Sequence, residues 1–327
     1  MSEQEPRATT QLPVSLSIAE RRQELIPVAL VMVNLASAAP SLLALEQRRP
    51  RLSRDEQARI ARIGSDEQRQ ARLAAHVALR LLLERYAGVN KVRGLGYQFG
   101  ARGRPHLPGS GLEFSISYGK AEALIALAMA GPIGVDLEAM RRLPLNAARR
   151  QRIMAAALAL VLAPAGDGLV GDGLCAKAST PTAAAAERET ATEQTAAERE
   201  TAAFLRGWTR LEAVAKATDL GLAGLLGRFD LMGPGKPWTE ANDRTVRDFM
   251  ERRGLILRDL DPGRDRFAAL ALPAASLPAA SLSAAAFSAS GNDATCLIRQ
   301  LPSDHQGLEA VAAGAVPLAD LPPANAD

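Results

Sequence analysis

Asp136 and Glu138, in the run Gly134-Val135-Asp136-Leu137-Glu138, and Glu212 and Lys216, in the run from Trp208 to Ala217, have the types and spacing to hold a cation beside a phosphate. Carboxylate oxygens bind hard divalent cations such as Mg²⁺, and an ammonium next to them offsets phosphate charge. Ile133, Val135 and Leu137 alternate with Gly134, Asp136 and Glu138. That alternation predicts a strand whose apolar side chains enter the core while both acids project from the opposite face. Glu212 and Lys216 are four residues apart, one turn of a helix, and share a face. Each motif alone also fits a plainer role. The acids could be the solvated face of a strand, and Glu212 with Lys216 a surface pair contributing ~0.3 to 0.5 kcal/mol.

The same periodicities outline the surrounding elements. Residues 28–35 read as a buried strand, and Leu52-Ser53-Arg54-Asp55-Glu56 supplies a serine cap with acids in the first turn of a helical region that runs to Leu83. Leu112, Phe114, Ile116 and Tyr118 alternate as a strand, residues 123–130 form another, and Gly131-Pro132 turns the chain into the Asp136 strand. The acids should therefore follow directly on a hairpin. The last core strand is expected at 267–272.

Composition narrows the function classes. A chain of 327 residues can bury one large core or two modest ones. With 39 basic and 36 acidic residues the net charge is only +3, too balanced to call for nucleic acid, although the basic residues crowd between Arg48 and Arg85 as a local anion site would require. Cys175 and Cys296 lack metal-ligand or redox spacing, so neither a disulfide framework nor a zinc site is indicated. Arg21-Arg22, the apolar run 25–33 and Ala36-Ser37-Ala38 trace the outline of a secretory leader. Glu24, Pro27 and Asn34 interrupt that outline, and a first core strand is the preferred reading. The apolar run 153–163 is about half the length that a bilayer requires, so no membrane segment is expected.

Residues 1–24 read as a disordered lead, 25–132 and 133–272 as two halves dividing near Pro132, and 273–327 as a low-complexity segment and tail. An insertion at about 165–203 interrupts the second half: Ala186-Glu187-Arg188-Glu189-Thr190-Ala191 recurs at 197–202 without large apolar residues to bury. Insertion and tail are both expected to lie apart from the chemistry.

Taken in order, these motifs resemble the 4′-phosphopantetheinyl transferases, specifically their larger, single-chain, surfactin-type branch. That family runs through Gly-Lys/Arg-Pro, Phe-Asn-x-Ser-His-Ser, Gly-x-Asp-x-Glu and Trp-(Ser/Thr)-x-Lys-Glu-(Ala/Ser)-x-x-Lys-x-x-Gly-x-Gly-Leu. The chain offers Gly103-Arg104-Pro105, Phe114-Ser115-Ile116-Ser117-Tyr118-Gly119, the Gly134 to Glu138 run and Trp208 through Leu222. The resemblance extends over about 28–222, with a weaker echo to about 272. Ser115 stands where the family has Asn, Tyr118 where it has His, Gly119 where it has Ser, Leu211 where it has Lys and Asp219 where it has Gly. A tyrosine hydroxyl can donate a hydrogen bond but brings no positive charge at neutral pH.

The resemblance implies an α+β fold of two similar α/β halves related by a pseudo-twofold, with the site in the cleft between them. It implies a cytoplasmic monomer that moves the phosphopantetheine arm of coenzyme A onto a serine of an acyl, polyketide or peptidyl carrier protein. Carried over residue by residue, Asp136, Glu138 and Glu212 would hold Mg²⁺, and Lys216 would face the phosphate. Glu212 or a metal-held water would take the serine proton. Arg59, Arg72, Arg104, Ser117 and Tyr118 would meet coenzyme A, with Arg62 and Arg69 as rivals for the first two. An alternative implied by the departures is a weakened relative that only binds a carrier protein or nucleotide. Outside these motifs, His76 fits an apolar helical pattern as a core histidine, His106 an exposed position and His305 the tail. Trp208 fits an anchor in the core, and neither a hydrolase triad nor a glycine-rich nucleotide loop is present.

Overall fold

Val31 and Val33 face one way from a strand and Leu30 and Met32 the other, yet all four are buried, because this strand is covered on both sides. A computed structural model describes residues 17–25, 28–129, 131–141, 146–161, 196–232, 237–276 and 297–325. Cys175, Cys296, the first copy of the repeat and most of the insertion lie outside the described residues.

The chain opens with α1 (Ile18–Gln23), β1 (Ala29–Asn34), α2 (Leu35–Arg48), α3 (Arg54–Ala61) and α4 (Asp66–Ala87). Asn34 caps α2, Ser53 and Glu56 form a capping box on α3, and Ser65 caps α4. A short pair, β2 (Gln98–Phe99) and β3 (Pro105–His106), precedes the hairpin β4 (Glu113–Tyr118) and β5 (Glu122–Ala128). The hairpin's second strand returns antiparallel to β1, with Ala29 opposite Leu127 and Asn34 opposite Glu122.

At Gly131-Pro132 the chain leaves this sheet. β6 (Gly134–Ala139), α5 (Ala147–Val161), α6 (Ala196–Ala217), α7 (Gly221–Arg228) and α8 (Glu240–Arg253) lead to the hairpin β7 (Leu255–Leu260) and β8 (Arg266–Pro273). Here too the second hairpin strand pairs antiparallel with the first strand of the unit, Gly134 opposite Ala271 and Ala139 opposite Arg266. The two units therefore share one connectivity: a strand, a block of helices, then a hairpin that closes on the strand. The expected mixed α+β architecture is present, and the acids follow directly on the β4–β5 hairpin as expected, with β6 joining the second sheet.

The sheets pack face to face. Leu30, Met32, Leu124 and Ala126 from the first meet Leu137, Ile256, Ala268 and Leu270 from the second. The alternate positions turn outward to the helices: Val31, Val33 and Ile125 meet α2 and α4, while Leu257, Phe267 and Ala269 meet α5, α6 and α8.

Three sequence expectations need correction. Within the expected lead, Ser17 and Glu20 box the start of α1, and Arg22 donates to the carbonyls of Tyr86 and Ser110 at 2.9 and 2.7 Å, so 17–23 is part of the fold. The end of the expected insertion, 196–203, is the start of α6, with Ala202 buried. The expected tail returns to the first unit. Its strand β9 (Ile298–Gln300) pairs parallel with β1, and α9 (His305–Ala313) buries Leu308 and Val311 in the first core. Arg85, fully buried, donates to Val311 O at 2.6 Å and pairs with Glu24 at 2.8 Å, which ties α1, α4 and α9 together. Among the described residues no helix is long and apolar enough to cross a membrane.

Candidate functional site

The two acidic motifs meet because Gly134 has no side chain. A Cβ built there would lie 2.0 Å from Ala213 O and 2.6 Å from Ala217 N, so the backbone of α6 rests directly on β6. At that distance Lys216 reaches the strand: Nζ donates to Asp136 Oδ1 at 2.8 Å and to Val135 O at 2.9 Å. β4 closes the other side. Ser117 Oγ donates to Asp136 Oδ1 at 2.7 Å, and Val135 N–H donates to Ser115 Oγ at 3.0 Å. Ser115 thus satisfies an amide on the edge strand of the second sheet with a hydroxyl from the edge strand of the first.

Asp136 is buried, and its Oδ2 has no hydrogen-bond partner, although a buried carboxylate oxygen normally has one. Glu212 lies close enough to be affected: burial raises its carboxyl above the usual range, the charges of Asp136 and Glu138 add to the rise, and Lys216 opposes it. Glu138 is engaged with Arg141 at 3.1 Å. Among the described residues no three acid, histidine or cysteine side chains are gathered into a cation-binding group. The donor set still suits a hard cation. An unpartnered buried oxygen on Asp136 and a disfavoured charge on Glu212 would both be relieved by one, and the exposed Glu138–Arg141 pair, on a scale of ~0 to 1 kcal/mol, is easily exchanged.

Beside this cluster opens a cavity of about 440 Å³. Glu212 and Lys216 stand on its wall together with Ser115, Arg104 and Tyr118, while Arg59 and Arg72 line it from α3 and α4. Arg62 and Arg69 do not line it; Arg69 turns away to Asp66 and to Ile63 O. Ser117 also stays off the wall, its hydroxyl committed to Asp136. Arg72 lies over the Tyr118 ring, 4.0 Å from its centroid, and Arg59 over Phe99 at 4.6 Å. Burial raises the Tyr118 phenol, with Arg72 and Arg59 pulling the other way. Arg104 pairs with Glu113, and its backbone N–H donates to Asp219 Oδ1 at 3.1 Å. That bond joins the turn between β2 and β3 to the end of α6.

Asp219 has φ +51° and Gly221 φ +65°, both in the left-handed region that glycine adopts most readily and aspartate tolerates. These are the two positions at which the motif Gly-x-Gly-Leu carries glycine. Leu211 is fully buried in the second core, and Trp208 packs against that core and stacks on Phe204 at 6.0 Å. His106 is exposed beside Gln98, and His305 sits at the start of α9.

His76 departs from its expected place in the core: it lines the cavity, with its ring 6.0 Å from that of Tyr118. Sequence periodicity put it on an apolar face, and the face is indeed buried, but α4 passes the cavity at this turn. Glu56, behind it, was also missed, because its capping position accounted for it fully. No protein-family model and no curated protein matches the chain.

Proposed function

We propose that the protein is a Mg²⁺-dependent 4′-phosphopantetheinyl transferase, a cytoplasmic monomer whose two units are related by a pseudo-twofold. It transfers the phosphopantetheine arm of coenzyme A to a serine of an acyl, polyketide or peptidyl carrier protein and releases adenosine 3′,5′-bisphosphate. The observation that carries this reading is the contact of Gly134 with Ala213 and Ala217, which brings two motifs distant in sequence together, Asp136 bonded to Lys216, with Lys216 and Glu212 on the wall of a cavity. The matching connectivity of the units and the positive φ at Asp219 and Gly221 support it further.

Asp136, Glu138 and Glu212 would hold the cation, which when bound neutralises phosphate charge. Lys216 sits between Asp136 and the cavity, where its ammonium can turn to a phosphate oxygen. Arg59, Arg72 and Arg104 bind and orient the anionic co-substrate. In the transfer, the serine Oγ bonds to the pantetheine-side phosphorus and the bond from that phosphorus to the bridging oxygen of the pyrophosphate breaks. The leaving adenosine bisphosphate keeps the electron pair. Glu212, or a water held by the cation, would receive the serine proton. Positioning and charge neutralisation do most of such work.

A second reading is a binding module without turnover. The engagement of Asp136 by Lys216 and of Glu138 by Arg141 favours it. Intact-mass measurement of an apo carrier protein after incubation with this protein, Mg²⁺ and coenzyme A separates the two. Gain of one phosphopantetheine upholds transfer. An unmodified carrier that nevertheless co-elutes with the protein upholds the binding module.

A further inference from the structure

Asp219 holds a left-handed φ of +51° on the link between α6 and α7. Glycine adopts that conformation without a Cβ penalty, so what sets an aspartate apart there is its carboxylate. Asp219 Oδ1 accepts the Arg104 N–H at 3.1 Å, and Oδ2 rests on Gly100, where a Cβ would fall 2.2 Å from it. Both partners belong to the turn between β2 and β3, which closes on itself as the Gly100 N–H donates to Arg104 O at 2.9 Å. The carboxylate of one unit is thus seated on a turn of the other.

That turn has little else to fix it toward the second unit. β2 and β3 pair with each other and with neither main sheet, and Gln98 and Phe99 are exposed. A lone two-stranded pair is marginal by itself. Its side-chain attachments, Arg104 to Glu113 and Phe99 under Arg59, stay within the first unit. Among the described residues, no other hydrogen bond joins the strand pair and its turn to the second unit. Arg102, Gly103, Arg104 and Pro105 nevertheless line the cavity, as Asp219 does.

We infer that Asp219 is a positioning residue: it latches the β2–β3 turn of the first unit to the end of α6 in the second, and so sets one wall of the cavity before a ligand arrives. An N–H donated to a carboxylate is the stronger, charge-assisted kind of hydrogen bond. With the latch closed the ligand meets a wall already in place. With it open, affinity falls in proportion to the fraction of molecules whose wall is in place. The latch follows from these contacts; only the choice of coenzyme A as the ligand that reads it rests on the transferase reading.

Asp219→Gly removes the carboxylate and relieves the backbone, whereas Asp219→Asn keeps an oxygen acceptor on a residue that also tolerates left-handed φ. Both remove one charge, so the difference between them isolates the bond. Amide hydrogen exchange at Arg104, followed by NMR, should be about tenfold faster in Asp219→Gly than in wild type, and within about threefold of wild type in Asp219→Asn. In calorimetry, coenzyme A should bind at least about threefold more weakly to Asp219→Gly than to Asp219→Asn. Gly100→Ala tests the latch from the other unit. Its methyl group displaces the Asp219 carboxylate, the free end of a side chain that can rotate away, so both readouts should change as in Asp219→Gly. Combining the two substitutions should add nothing further. Three results overturn the proposal: Arg104 exchange at the wild-type rate in Asp219→Gly, additive effects in the double variant, or faster exchange with coenzyme A affinity equal in the Gly and Asn variants. If the wild type neither binds coenzyme A nor modifies a carrier, the transferase reading falls and the exchange rates alone decide the latch. Carrier modification with Arg104 exchange indifferent to Asp219 upholds transfer and removes the latch.

Discussion

Gly134 and Ala213 touch through their backbones, and a methyl group at Gly134 would fall 2.0 Å from the Ala213 carbonyl oxygen. Lys216 reaches Asp136 only because α6 lies this close to β6. Gly134→Ala must push the two elements apart, since the obstructing atoms are backbone and cannot rotate away. The expected cost is ~1 to 3 kcal/mol, the range of overpacking in a close-packed core. Urea denaturation measures it; an unchanged midpoint would mean that β6 and α6 are less tightly apposed than described.

Glu212 sets a pH dependence of stability. Its folded carboxyl is raised above the usual 4.5 by burial and by Asp136 and Glu138. Between the unfolded and folded values the folded state holds more protons, so stability falls as pH rises through this window. Below the window the contribution is fully present. Glu212→Gln should remove that fall, and Mg²⁺ should reduce it in the wild type. Melting temperatures across about pH 4 to 7, with and without Mg²⁺, supply the check; parallel curves for wild type and variant would sink the idea.

Glu56 acts with the opposite sign. Its carboxyl is held at about 2, so its contribution is present above the unfolded value of 4.5 and is lost as pH falls through about 2. Glu56→Gln leaves Arg80, fully buried, without its carboxylate. Removing one partner of a buried ion pair costs ~3 to 5 kcal/mol. Equilibrium denaturation near neutral pH should show that loss, and a stability equal to wild type would refute the pairing.

Much of the site was legible in the sequence because strand alternation and the four-residue helical spacing fix facing directly. Asp136, Glu212 and Lys216 needed only that, plus a glycine where two backbones meet. Facing does not reveal which turn of a buried helix passes a cavity, so His76 was read as core. Nor does it reveal commitments between side chains, which is why Ser117 was expected on the nucleotide rather than on Asp136. The C-terminal return was missed for a different reason. β9 has three residues and one fully buried side chain, too short for alternation to register, and its partner β1 is about 270 residues earlier in the chain.

That return makes a separate prediction. Leu308 is fully buried in the first core, between α9 and the helices of the first unit. Leu308→Ala should destabilise the protein by ~2 to 5 kcal/mol through lost burial and a cavity. Denaturant titration tests this, and a change within ±0.5 kcal/mol, the scale of an exposed substitution, would show that the C-terminal segment is not packed as described.

The claim that Asp136 and Glu212 belong to one magnesium-dependent transfer site is tested most directly by the rate at which an apo carrier protein gains phosphopantetheine mass. Wild type, Asp136→Ala and Glu212→Gln would be compared at saturating coenzyme A and Mg²⁺, with folding of each variant verified by circular dichroism. Loss of either carboxylate should slow transfer by at least about a hundredfold, as removal of a group stabilising developing charge typically does. Turnover near the wild-type rate in either folded variant would contradict the site.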